Sequence, residues 1–174
     1  MTSLELIEAF VNTAELDEGR DDLLEPAGLV AWLAEHGLAP ARVRASEREA
    51  AEARAVREAL RELLRANNGI EVDRNLASAV LDDAARRAGL AVHFDDGSIR
   101  LEPRDHGAAG GVARVLAAAA EAMADGSWQK LKACRADDCR WAFVDHARNR
   151  SRQWCSMSVC GNRAKARTFR ARHA

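Results

Sequence analysis

The four cysteines carry the densest chemistry in this sequence. All lie between positions 134 and 160, spaced Cys134-x4-Cys139-x15-Cys155-x4-Cys160. Two short pairs joined by a medium insert suit a tetrahedral zinc ion, because each pair wraps two thiolates around one side of the metal and the insert brings the pairs together. An iron–sulfur cluster more commonly uses tighter Cys-x2-Cys pairs. A reducing cytosol disfavours joining the cysteines as disulfides. Four thiolates fill the coordination shell, so the expected cofactor is a structural Zn2+ ion with no open position for catalysis. His146 could replace one thiolate, although no neighbouring histidine gives it a pair partner.

Cationic residues crowd around these ligands. Arg148, Arg150 and Arg152 lie in a polar stretch between the pairs, and a helix starting after Cys160 would bring Arg163, Arg167 and Arg170 into one narrow face at about 100° per residue. Lys165, Phe169 and Arg172 would share the opposite side. The planar fork of arginine suits phosphate oxygens and the O6/N7 edge of guanine. The expected partner is therefore double-stranded DNA. Trp141, Phe143 and Trp154 are expected to form a miniature core around the metal; a stacking platform for bases would need several spaced aromatic residues.

Charge is polarised along the chain. Residues 1–129 carry 14 Lys and Arg against 24 Asp and Glu, a net of −10, whereas 130–174 carry 12 against 3, a net of +9. Such asymmetry points to an anionic partner for the basic end. It also raises a competitor: the basic tail could dock on the acidic part of its own or a neighbouring chain, and so inhibit itself.

The elements that must position these groups are mostly helical. Apolar residues at Leu4, Ile7 and Val11 predict a first helix from Ser3, as its cap, to about Asp17. An acidic loop follows, then a helix opened by Pro26 and closed by Gly37. Ser46 and Glu49 form a capping box for a long helix to about Asn67, whose alternating arginines and glutamates read as a solvated face. A fourth helix opens at Asp73 or Asn75 and ends at Gly89. Alternation at Val92, Phe94, Ile99 and Leu101 around Asp95-Asp96-Gly97-Ser98 predicts a hairpin. An Ala-rich helix then runs from Val112 to about Ala124. The fold class is α+β, predominantly helical: a helical domain with one β-hairpin over residues 1–126, followed by a small zinc-binding module, treble-clef-like or ribbon-like, over 127–174.

The run Cys155-Ser156-Met157-Ser158-Val159-Cys160-Gly161-Asn162-Arg163-Ala164-Lys165, preceded by Arg152-Gln153-Trp154 and by the pair at 134 and 139, closely resembles the CGNR zinc finger family. Upstream, Phe10-Val11-Asn12-Thr13, the acidic loop and Leu29-Val30-Ala31-Trp32-Leu33 before Gly37-Leu38 resemble the ABATE domain that accompanies this finger in bacterial stress-induced transcription regulators. Together the two cover nearly the whole chain. The resemblance implies a DNA-binding finger with Cys134, Cys139, Cys155 and Cys160 as its zinc ligands, and it adds Asn162 to the candidate nucleic-acid contacts Arg148, Arg150, Arg152, Arg163, Lys165, Arg167 and Arg170. Two positions depart from the family pattern, Gln153 in place of a common Arg and Ala147 in place of a frequent Ser. Each removes one polar or phosphate contact and leaves the metal shell intact.

The function expected is a zinc-dependent transcription regulator in the cytoplasm whose helical domain senses a ligand or mediates assembly, for instance as a homodimer. Asn12, Thr13 and Asp17 are candidates for a small-molecule pocket, against the plainer reading of a helix end that bonds its own backbone. No signal peptide or membrane span is expected. Nor is an enzyme: no His-Glu-x-x-His, phosphate-cradling loop or nucleophile elbow occurs, and His36, His93, His106 and His173 are scattered. The alternative is an interaction protein whose zinc module binds RNA or an acidic protein surface. A third reading is a thiol-redox sensor that releases its zinc on oxidation.

Overall fold

A computed structural model describes residues 1–173, without the side chain of His173. Helix α1 (Ser3–Val11) is capped one residue earlier than the sequence suggests. Thr2 Oγ1 accepts the Glu5 N–H at 3.3 Å and the Glu5 carboxylate accepts the Thr2 N–H at 2.7 Å. Ser3 instead donates its hydroxyl to Glu121 at 3.0 Å. The helix also stops at Val11, well short of Asp17. There the acidic stretch folds back as a ribbon of β1 (Ala14–Glu15) and β2 (Arg20–Asp21), with Gly19 turning at φ 67°. Two-residue strands are too short to leave an alternating pattern, so the sequence reads this stretch as a loop.

Helix α2 (Pro26–Glu35) starts on proline. Helix α3 (Glu47–Asn67) carries the expected Ser46–Glu49 box, and Asp73 caps α4 (Arg74–Arg87) by accepting the Leu76 N–H at 3.0 Å. Strands β3 (Ala91–Asp95) and β4 (Ser98–Glu102) form the expected hairpin. Helix α5 (Ala108–Ala124) begins four residues before Val112, because its two early glycines are required there. A Cβ on Gly110 would lie 1.9 Å from the Asp105 carbonyl oxygen, and one on Gly111 would lie 2.9 Å from Leu33. The glycines let α5 approach α2 and the preceding loop closely.

Ile7, Phe10 and Val11 of α1, Leu29 and Leu33 of α2, Val56, Leu60 and Leu64 of α3, and Val115 of α5 form a common buried core. That core does not end where the composition changes near residue 127. Trp128, then Leu131 and Ala133 of β5 (Leu131–Ala133) and Ala142 of β6 (Ala142–Val144), belong to the same apolar cluster. The last described element is α6 (Asn162–His173). Among the described residues, no helix is long and apolar enough to cross a membrane.

The arginines of α3 depart most from the sequence reading. Arg48 and Arg65 pair along the helix with Glu52 and Glu62, as expected. Arg57 and Arg61 point inward instead. Arg61, only 1% exposed, donates to the Val11 and Ala14 carbonyls at 2.5 and 3.1 Å and pairs with Glu58. Arg57 forks onto Asp21 at 2.6 and 2.8 Å. These two side chains satisfy the turn after α1 and pin the acidic ribbon to the helices. Burial opposes ionisation of Asp21, but the Arg57 guanidinium outweighs it and holds the carboxyl below the usual range.

Asp21→Asn should therefore destabilise the protein by about 2 kcal/mol, because the buried Arg57 loses the carboxylate on its fork and keeps only Glu58, at 2.9 Å from Nε, as counter-charge. The depressed carboxyl contributes stability above its unfolded value of about 4, and that contribution is lost as pH falls through the lower folded value. Urea melts of both proteins should differ at neutral pH and converge in acid. Equal melts at neutral pH would contradict the assignment.

Candidate metal centre and basic surface

Strand β5 delivers Cys134 at its end, where the Cys134 N–H bonds the Trp141 carbonyl at 2.9 Å. The chain then folds into a tight knuckle: the N–H groups of Cys139 and Arg140 both bond the Ala136 carbonyl at 3.0 Å, and Arg140 adopts φ 51°. Cys155 arrives from the far side of the insert. A single wide helical turn, Met157–Gly161, places Cys160 at the foot of α6. Gly161, after Cys160, leaves room for the Met157 and Trp154 side chains to pack against the turn. A Cβ on Gly161 would meet Met157 Sδ at 2.5 Å and the Trp154 ring at 3.3 Å.

The four sulfur atoms lie within 4.8 Å of one another. Cys139 and Cys155 are 3.6 Å apart, and Cys155 and Cys160 are 3.7 Å apart. A tetrahedral zinc ion with Zn–S bonds of about 2.3 Å has S···S edges of about 3.8 Å, so the donor set fits such an ion. Cys134, Cys139 and Cys160 are buried and Cys155 is half-buried, packed with Phe143, Trp141 and Trp154. The aromatic residues thus line the cluster as its own small core. His146, the alternative ligand, is exposed and lies outside the cluster.

Protons crowd this site without a cation. A hydrogen bond from Cys139 holds Cys134 down to about 5, so the first thiolate forms readily. Its hydrogen bond to that thiolate, then burial, pushes Cys139 up, and burial together with the Cys134 charge pushes Cys155 up to about 12. A positive ion at the centre would offset the repulsion between closely packed thiolates. The chain can hold one structural zinc ion here.

A buried ion pair organises the insert. Lys132 Nζ donates to Asp145 at 2.8 Å, to the Arg152 carbonyl at 3.2 Å and to the Arg150 carbonyl. Asp145 also accepts the Ala147 and Arg152 N–H groups at 2.9 and 3.0 Å. Burial works against the Asp145 charge, but these donors win and keep its carboxyl below the usual range. Sequence reasoning misses the pair. Lys132 alternates with apolar Leu131 and Ala133, which marks it as facing solvent on a half-buried strand, whereas the second half of the finger covers that side.

Three asparagines clip the finger to helix ends. Asn12 exchanges two hydrogen bonds with the backbone of Ala142, at 2.8 and 3.0 Å. Asn67 donates to the Trp128 and Leu131 carbonyls, both at 3.0 Å, and Asn68 to those of Ala133 and Gln153, at 2.8 and 2.9 Å. The other two candidate pocket residues also have partners within the chain. Thr13 is buried, donating to the Phe10 carbonyl and accepting from Arg57, while Asp17 faces Arg163 at 3.7 Å.

The candidate nucleic-acid contacts divide into groups. Arg148 and Arg150 are exposed on the insert. Arg152 lies over the Phe143 ring at 4.6 Å and donates to the Trp154 and Cys155 carbonyls, so its fork serves the finger itself. The Asn162 amide bonds the Ser158 carbonyl at 3.1 Å. Arg163 and Arg167 approach Asp138 at 3.4 and 3.9 Å. Arg170 bonds the Ala166 carbonyl within α6, and Lys165 lines a groove on the other face of that helix with Trp154, Met157 and Phe169.

Comparison with known families agrees with this layout. The CGNR zinc finger matches residues 130–173, which hold all four sulfur ligands. The ABATE family, described as "Putative stress-induced transcription regulator", matches residues 4–126, more than half of the chain. The chain belongs to the ABATE family. No curated protein matches it. In this ABATE protein the finger's first hairpin shares the helical core, whereas the segment from 146 onward is held by the sulfur cluster and the Lys132–Asp145 pair.

Cys155→Ser should remove the ion and expose residues 146–172 to protease, while β5, β6 and the five preceding helices persist. Metal analysis, limited proteolysis and circular dichroism on the variant check this. Full zinc content with an uncut tail would contradict it.

Proposed function

We propose that this protein is a DNA-binding transcription regulator. Its zinc-anchored finger contacts duplex phosphates, and its helical region senses a small ligand or a partner. The observation that carries the reading is the set of exposed cationic side chains, Arg148, Arg150, Arg163, Lys165, Arg167 and Arg170, carried by an insert and a helix that both start from one sulfur cluster. Cations fixed on a stiff frame meet a regular array of phosphates at little cost in chain entropy. The family description points the same way. In this reading the protein works in the cytoplasm, binds rather than catalyses, and uses its zinc for structure.

A second reading is favoured by one observation, the proximity of Arg163 and Arg167 to Asp138 and of Arg163 to Asp17. Part of the basic face is neutralised by the protein's own acids, one of them in the acidic ribbon. These pairs are half-exposed and individually weak, so a phosphate backbone can displace them. They lower affinity for DNA without abolishing it.

The zinc-loaded full chain should bind a random-sequence duplex at low salt, followed by fluorescence anisotropy, with log affinity falling linearly in log salt. Arg163→Ala should weaken binding and reduce that slope by about one, and Asp138→Asn should tighten binding several-fold. Absence of duplex binding at low salt would overturn the proposal, and preference for single-stranded RNA or for an acidic protein would favour the interaction-module alternative.

A further inference from the structure

The β3–β4 hairpin has an apolar face that its own chain leaves in water. Cross-strand partners Val92↔Leu101 and Phe94↔Ile99 put these four side chains on one face, while His93, Asp95, Ser98 and Arg100 take the other. Phe94 is 84% exposed, Ile99 70% and Val92 51%, and Met123 on the neighbouring end of α5 is 45% exposed. A two-stranded ribbon is marginal by itself and needs its apolar face covered. Here the cover is partial. Between the hairpin and α5 lies a groove of about 620 Å3, whose apolar lining is Val92, Ile99, Leu101, Ala120 and Ala124.

We infer that this face is the interface of a homodimer, with Phe94 of each copy seated in the hairpin–α5 groove of the other. Two features favour a second copy of this chain as the occupant. An isologous contact needs a projection and a matching recess side by side on one surface, and Phe94 stands at the end of the face whose other end is the groove. The small residues Ala120 and Ala124 leave the recess wide enough for a ring. The exposed apolar side chains present on the order of 400 Å2. A stable dimer covers about 800 Å2 per partner with a little over half of it apolar, so this patch is the size of the apolar centre of such an interface.

Sedimentation of the zinc-loaded full chain, from low micromolar to millimolar concentration, tests the proposal. The wild type should approach twice the 19.0 kDa of one chain. Phe94→Asp should raise the dimer dissociation constant at least tenfold with zinc content and circular dichroism unchanged, since Phe94 is largely exposed in the single chain. Leu76→Asp, at an exposed apolar position on α4, should leave association unaltered. A wild type that stays monomeric throughout, or a dimer indifferent to Phe94→Asp, would overturn the inference. A monomer that binds DNA would overturn it while leaving the proposed function standing.

Discussion

Four sulfur atoms around one point are the constraint on which the C-terminal quarter depends. Two come from a knuckle attached to a hairpin, one from the end of an extended insert and one from the foot of α6. As thiols they compete for space and protons. As thiolates around a divalent ion they become the hub that fixes the direction of α6 and of the arginine-bearing insert. The surrounding core of Phe143, Trp141 and Trp154 is too small to do this alone, as expected for a segment of about 45 residues.

The hub is not an appendage on a tether. Its first hairpin buries Leu131, Ala133 and Ala142 in the same core as α1, α3 and α5, and Asn12, Asn67 and Asn68 meet its carbonyls from helix ends that would otherwise need water or caps. Two arginines inside α3 perform a related task for the acidic ribbon, which brings Asp17 beside Arg163. The orientation of the basic helix is thus coupled to the helical region through packed backbone contacts. A ligand that moved the end of α1 or of α3 would act directly on the finger.

Legibility in the sequence followed the range of each interaction. The metal ligands and the Ser46–Glu49 box could be read because their partners recur at short, fixed spacings, and the β3–β4 hairpin because its period of two is sustained. The inward turn of Arg57 and Arg61 could not, since their partners lie 36 to 50 residues away and the local pattern is that of an exposed, ion-paired face. The contacts of Asn12 were out of reach for the same reason, its partner being 130 residues distant, whereas the Lys132–Asp145 pair, 13 residues apart, was hidden because strand alternation marks Lys132 as facing solvent. The start of α5 was hidden by two glycines that ordinarily weaken a helix and here allow close approach to Leu33 and Asp105.

The most direct test of the account is hydrogen exchange on the purified chain before and after chelation, with its metal content measured in parallel. One zinc ion per chain should be present, and its removal should abolish protection in residues 146–172 while α1, α3 and α5 stay protected. A chain that holds no stoichiometric metal, yet keeps 146–172 protected, would contradict the central role of the sulfur cluster.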